Sequence, residues 1–169
     1  MQLESHSPEE TAAAARALAE ALDPAAGLFV LLAGPLGAGK TVFVKGAAEG
    51  LGIDPGQVAS PTFVIASRHE GRVPLVHADL YRVESEAELL AAGFLDWLEP
   101  GALVVAEWGD RFADALPQDR LEIRIERRGE ALRGLAAVAC GPAARAVLER
   151  LQRAWGGGPG EEGRGTKWR

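Results

Sequence analysis

Short unbroken apolar runs alternate along this chain with segments whose apolar residues recur every three or four positions, and these rhythms predict strands and helices in turn. Residues 5–24, SHSPEETAAAARALAEALDP, read as a helix: Ser7 caps it, Pro8 suits the first helical position, and Glu10 completes a Ser-x-x-Glu capping box. Asp23-Pro24 ends it. Residues 28–34, LFVLLAG, are continuously apolar, too short for a typical helix and bounded by glycine, as expected of a parallel strand covered on both faces. A Gly-rich loop follows at once, and residues 40–52 continue as a helix closed by Gly52.

Beyond the linker DPGQ (54–57), the runs TFVIAS (62–67) and VPLVHADL (73–80) flank RHEGR, which predicts a hairpin. Residues 84–100 read as one helix with Ser85 and Glu88 as a second capping box, and 101–109, GALVVAEWG, return to a buried strand. Residues 120–128, RLEIRIERR, alternate strictly, with Leu121, Ile123 and Ile125 inward, and pair with 132–140. Arg120, Arg124 and Arg128 interleave with Glu122 and Glu126 as a solvated face. A last helix covers 142–155, and the Gly-rich polar stretch 155–169 reads as a disordered tail on a single domain, 1–154. The expectation is an α/β fold with a mainly parallel central sheet, flanking helices and antiparallel hairpin additions.

Composition adds bounds. At 169 residues the chain fits one domain, and 47% hydrophobic with 25% charged residues is the make-up of an ordinary globular protein. A net charge of −6 argues against tight autonomous binding of nucleic acid, which rests on cationic neutralisation of phosphates. The lone Cys140 can form no internal disulfide and is read as a small buried hydrophobe. No window approaches about 18 apolar residues and no leader pattern opens the chain. A cytoplasmic protein without membrane contact is expected.

The chemistry is concentrated in GPLGAGKT, residues 34–41. Gly34, Gly39, Lys40 and Thr41 match Gly-x-x-x-x-Gly-Lys-Thr in full. The glycines, Gly37 included, let backbone amides turn inward, so that the loop and helix start, through Ala38 and Val42, face phosphates. Lys40 can reach the β- and γ-phosphates, and the Thr41 hydroxyl can ligate Mg²⁺. A carboxylate for the metal is expected at a neighbouring strand end. Glu107 and Asp79 both end apolar runs; Glu107 suits the metal better, because its run is longer and cleaner, leaving Asp79 to orient water or to link the site to a moving segment. The guanine signature Asn/Thr-Lys-x-Asp is lacking, since TKWR in the tail has no Asp, so ATP is favoured over GTP.

Three further stretches, SPTF (60–63), HADLYR (77–82) and VVAEWG (104–109), taken with this loop, resemble the bacterial TsaE family, ATPases of tRNA threonylcarbamoyladenosine biosynthesis. The resemblance spans about residues 11–141, with Pro35 where an acidic residue is common. It implies Thr41 and Glu107 as the magnesium-associated pair, Thr11 as a nucleotide contact and Arg133 as an arginine near the base. It also implies hydrolysis or partner contact for Asp79 and Trp108, and a switch-like role for Ser60 and Thr62, with Tyr81 nearby. On the residues alone, 60–62 read equally as a plain loop, His77 as structural, and Tyr81 and Trp108 as packing residues.

The resemblance implies a weak, Mg²⁺-dependent ATPase that acts with TsaB-type and TsaD-type proteins, the nucleotide gating their association. A small-molecule kinase is the alternative, with Arg68 and Arg72 of the 67–72 hairpin imitating a lid, and a nucleotide-binding module without hydrolysis is a third.

Overall fold

The unbroken apolar runs take the centre of a seven-stranded sheet, because only there are both faces of a strand covered. The structure, a computed structural model, describes residues 1–60 and 65–156. Strand β2 (Leu28–Ala33), buried along its whole length, lies between β5 (Leu103–Glu107) and β6 (Leu121–Arg127) and is parallel to both. Strand β4 (Leu75–Asp79) runs parallel to β5 on its other side. The outer strands are antiparallel. β3 (Ala66–His69) pairs with β4, β7 (Arg133–Ala139) with β6, and β1 (Gln2–Ser5) with β7, giving the order β1-β7-β6-β2-β5-β4-β3.

Both hairpins, the one read from the runs flanking RHEGR and the one read from strict alternation, are therefore present, and Leu121, Ile123 and Ile125 point into the core. The first hairpin's opening strand starts later than expected, at Ala66, and residues 61–64 lie outside the described ones. β1 is a strand that the pattern did not predict. Only Leu3 and Ser5 of its four residues turn inward, too few to register as an alternation, and its pairing partner lies more than a hundred residues away.

Helices α1 (Pro8–Glu20), α2 (Lys40–Gly50) and α5 (Pro142–Gly156) cover the face that carries Leu28, Val30 and Leu32. Helices α3 (Glu86–Ala91) and α4 (Phe94–Trp97) cover the face of Phe29, Leu31 and Ala33. α1 starts as read: the Glu10 amide donates to Ser7 Oγ at 3.2 Å, while the Glu10 carboxylate accepts from the His6 amide, one residue ahead of the cap, at 2.7 Å. The helix expected over 84–100 is two, because Gly93 takes φ +86° and restarts the chain for α4. α5 runs to Gly156, into the stretch read as tail; residues 157–169 are outside the described ones. No helix among the described residues is long and apolar enough to cross a membrane.

α1 and α2 pack backbone to backbone. A Cβ on Gly46 would stand 2.1 Å from the carbonyl oxygen of Ala12, and one on Gly50 would stand 2.6 Å from that of Arg16. This contact fixes α2, and with it the loop that leads into α2.

Candidate functional site

The loop 34–41 leaves the carboxyl end of β2 and enters α2 at Lys40, which sets the helix N-terminus, with its positive dipole end, at the edge where parallel strands finish. Gly39 caps the helix at φ +107°, a left-handed conformation open to glycine at no steric cost. Lys40 is 5% exposed. Its Nζ donates to the carbonyls of Gly34 at 2.9 Å and Pro35 at 3.0 Å and stands 3.9 Å above the centre of the Trp108 ring. Burial holds this ammonium's pKa below its ordinary value, against the opposing pull of the Glu107, Asp79 and Asp110 carboxylates.

Those carboxylates arrive by sheet register. Asp79 and Glu107 are direct partners across the parallel β4–β5 pair, and Leu32 of β2 pairs with Glu107. Both candidate acids thus stand side by side at the strand ends bordering the loop, the edge where open α/β sheets bind ligands. The Thr41 hydroxyl donates to Glu107 Oε1 over a long 3.4 Å. Neighbouring ligands of an octahedral Mg²⁺ with bonds of about 2.1 Å lie about 3 Å apart. The Thr41 hydroxyl and the Glu107 carboxylate group stand close enough together to serve one such ion.

Glu107 is 3% exposed, and a second donor reaches it from below: His77 Nε2 lies 2.9 Å from the same Oε1. His77 is wholly buried, and its Nδ1 has no hydrogen-bond partner among the described residues. A buried unsatisfied nitrogen costs about 1–3 kcal/mol. The histidine that read as structural is the direct neighbour of the site's buried carboxylate.

Asp79 is engaged differently. Its Oδ2 accepts from Ser60 Oγ at 2.9 Å and its Oδ1 from the Tyr81 amide at 3.0 Å. Ser60 and Asp79, distant in sequence, are brought together; Thr62 falls outside the described residues. Trp108 has the left-handed φ of +61°, at a cost of about 1–2 kcal/mol for a residue with a side chain. Its ring meets Tyr81, 58% exposed, at 5.2 Å between centroids. Tyr81 is not a core residue, whereas Trp108 is half-buried and packs against the core on the Phe29 face. Two further residues near the site were not singled out from sequence: Asp110, whose charge acts on Lys40, and Arg111, which donates to the Tyr81 carbonyl at 3.1 Å.

Thr11 and Arg133 are joined through Ser5 on the side of β1 and β7. Thr11 is 2% exposed, with its hydroxyl 2.7 Å from Ser5 Oγ, and Ser5 is the register partner of Arg133 in the β1–β7 pair. Arg133 Nε donates to the Ala38 carbonyl at 2.9 Å, tying β7 to the loop. A chain of contacts therefore links the unforeseen strand β1 to the loop 34–41.

The hairpin arginines do not form a lid. The turn that carries Arg72 lies at the opposite end of β4 from Asp79, and Arg72 donates to Ala19 O at 2.6 Å and Gly50 O at 3.3 Å, the last turns of α1 and α2. Arg68 pairs with Glu70 and Glu99. Cys140 is exposed, not buried as read: it follows the last residue of edge-proximal β7, where no layer covers it. Of the alternating arginines, Arg124 and Arg128 are exposed, whereas Arg120 is 9% exposed and held by Glu122 at 2.7 Å.

Comparisons with known proteins agree among themselves. The family model described as "Threonylcarbamoyl adenosine biosynthesis protein TsaE" matches residues 5–135. The chain is 42% identical over 147 residues to the tRNA threonylcarbamoyladenosine biosynthesis protein TsaE of Bacillus subtilis, covering 86% of this chain and 90% of that one. It is 44% identical over 113 residues to the protein of the same name from Mycobacterium tuberculosis, covering 60% of this chain and 66% of that one. Among solved structures, the crystal structure of Bacillus subtilis YdiB superposes with a TM-score of 0.71 at 34% identity, over 91% of this chain and 95% of the other.

Proposed function

Because the chain belongs to the TsaE family of threonylcarbamoyl adenosine biosynthesis proteins, we propose that it binds ATP with Mg²⁺ at the loop 34–41, hydrolyses it weakly, and serves tRNA threonylcarbamoyladenosine biosynthesis in the cytoplasm. Nucleotide occupancy gates its association with TsaD-type and TsaB-type proteins. The observation that carries this reading is the convergence of Lys40, Thr41 and Glu107, from the loop and a separate strand, at one strand-end edge.

The roles follow from the contacts. Lys40 exchanges the Gly34 and Pro35 carbonyls for phosphate oxygens, which satisfy an ammonium better than neutral acceptors do. Thr41 and Glu107 supply the protein oxygens for Mg²⁺, which when bound neutralises charge on the phosphates. Asp79, gripped by Ser60, orients the attacking water and couples it to the 60–65 segment. Amides of Gly37, Ala38, Gly39 and Val42 line the phosphates, and Thr11 and Arg133 border the base. Tyr81 and Trp108 present an aromatic surface beside the site, suited to a protein partner.

Titration calorimetry of the purified chain with Mg²⁺ and ATP is the direct test, and saturable heat is expected. Phosphate release should rise when a TsaB–TsaD pair is added, and ATP should change how much of that pair is retained in a pull-down. No heat of association would end the reading. Binding and hydrolysis that ignore the pair would end the gating part alone.

A further inference from the structure

We propose that His77 is a positioning residue for Glu107, its Nε2–H fixing the carboxylate for the metal that accompanies the nucleotide. The inference rests on the nucleotide reading above and deepens it.

An imidazole is a poor choice for this place on packing grounds. The ring is wholly buried on the apolar face of β4, between the strand and the helical layer, and its Nδ1 finds no partner among the described residues. Leucine would fill the space without leaving a polar nitrogen stranded. What leucine lacks is a donor, and the ring's other nitrogen lies 2.9 Å from Glu107 Oε1. A carboxylate can only accept, so the contact puts the proton on Nε2. The bond is charge-assisted and therefore directional.

The geometry shows what it achieves. His77 pairs in register with Val105, two residues before Glu107 on the same face, so the ring reaches up the sheet and meets the carboxylate from its buried side. Thr41 meets the same Oε1 from the loop side. Among the described residues Oε2 accepts no hydrogen bond, so the two donors pin one oxygen and leave the other to the metal. Ligating carboxylates are commonly held by such an outer partner, whose loss typically lowers metal affinity about 10–100-fold.

Three chains decide it: wild type, His77→Leu, which keeps the bulk and removes the donor, and His77→Gln, whose amide nitrogen can reach the Nε2 position. The measurements are thermal melting without ligand and binding of a fluorescent ATP analogue as Mg²⁺ is titrated. The expected result is a leucine variant that melts no lower than wild type, binds the analogue normally without metal, and needs about 10–100-fold more Mg²⁺ for half effect. Glutamine should restore most of the Mg²⁺ response. A leucine variant with the wild-type Mg²⁺ requirement overturns the proposal, as does equal impairment by leucine and glutamine, which would point to ring shape. If the leucine variant does not fold, His77→Asn replaces it, because its amide reaches only the Nδ1 position; equal Mg²⁺ requirements for asparagine and glutamine overturn the proposal. A wild type that binds no nucleotide at any Mg²⁺ concentration would instead remove the premise, a distinguishable result.

Discussion

A buried ammonium resting on two neutral carbonyls is poised to gain from an anion, and Lys40 is that group. Lys40→Ala should lower ATP affinity at least about 100-fold, since charged hydrogen bonds in a buried site are worth several kcal/mol in total. Unchanged affinity by calorimetry would contradict the role. The pH dependence has a definite sign. The free ammonium titrates below its ordinary 10.5 because it is buried; the polyphosphate proposed to bind here would raise that value, so binding in alkaline solution should take up a proton. Affinity should fall as pH rises through the free pKa, and heats measured in buffers of different ionisation enthalpy should reveal the uptake. Proton release, or no linkage at all, would contradict it. Glu107→Ala should raise the Mg²⁺ needed for hydrolysis about 10–100-fold while sparing metal-free binding; an unaltered Mg²⁺ curve would remove Glu107 from the metal. Lys40, Thr41 and Glu107 were legible in the sequence because the loop pattern and the strand end each carry a local signal. The attachment of His77 to Glu107 was not, since it depends on register between strands that thirty residues separate.

At the scale of elements, Gly46 shows which of two opposed effects wins. Replacing it by alanine would gain about 1 kcal/mol of helix propensity. The new Cβ, however, would press 2.1 Å from Ala12 O, and backbone cannot rotate aside as a side chain can. Overpacking of this kind costs about 1–3 kcal/mol or more, so Gly46→Ala should lower Tm by about 2–8 °C, on the scale expected for a chain of this size. A Tm equal to or above wild type would show that α1 and α2 can slide apart freely. The helix start at α5 argues similarly: the amides of Ala143 and Ala144 donate to Asp119 at 2.9 and 3.2 Å across 24 and 25 residues. Asp119→Ala should cost about 1 kcal/mol, the usual worth of such a cap, read from denaturant midpoints; no shift would mean that water replaces it fully. Where caps are local, as at Ser7 and Ser85, sequence revealed them. Where they come from elsewhere in the chain, as at α5, only the fold does.

Over the whole molecule, the two ends of the parallel strands divide the labour. The carboxyl ends hold Lys40, Asp79 and Glu107, while the opposite end is bolted by Arg72 to the last turns of α1 and α2 and by Arg150 to Ala21 O at 2.7 Å. Arg72→Ala should therefore lower stability by about 1–2 kcal/mol, as loss of a cation from helix C-termini does, and leave ATP affinity within about twofold. A large loss of affinity with intact stability would return that arginine to a lid and revive a kinase reading. The parallel core and both hairpins were readable because apolar runs and strict alternation are properties of contiguous residues. The edge strand β1 was not, since its four residues gain their meaning only beside β7. The stacking of Lys40 on Trp108 has a practical corollary. An indole 3.9 Å from a positive charge fluoresces according to where that charge sits, so the molecule contains its own optical gauge of the lysine's position. Substituting phenylalanine at that one position should silence the gauge and leave the emission of Trp97, seated against Phe94 in α4, as it was.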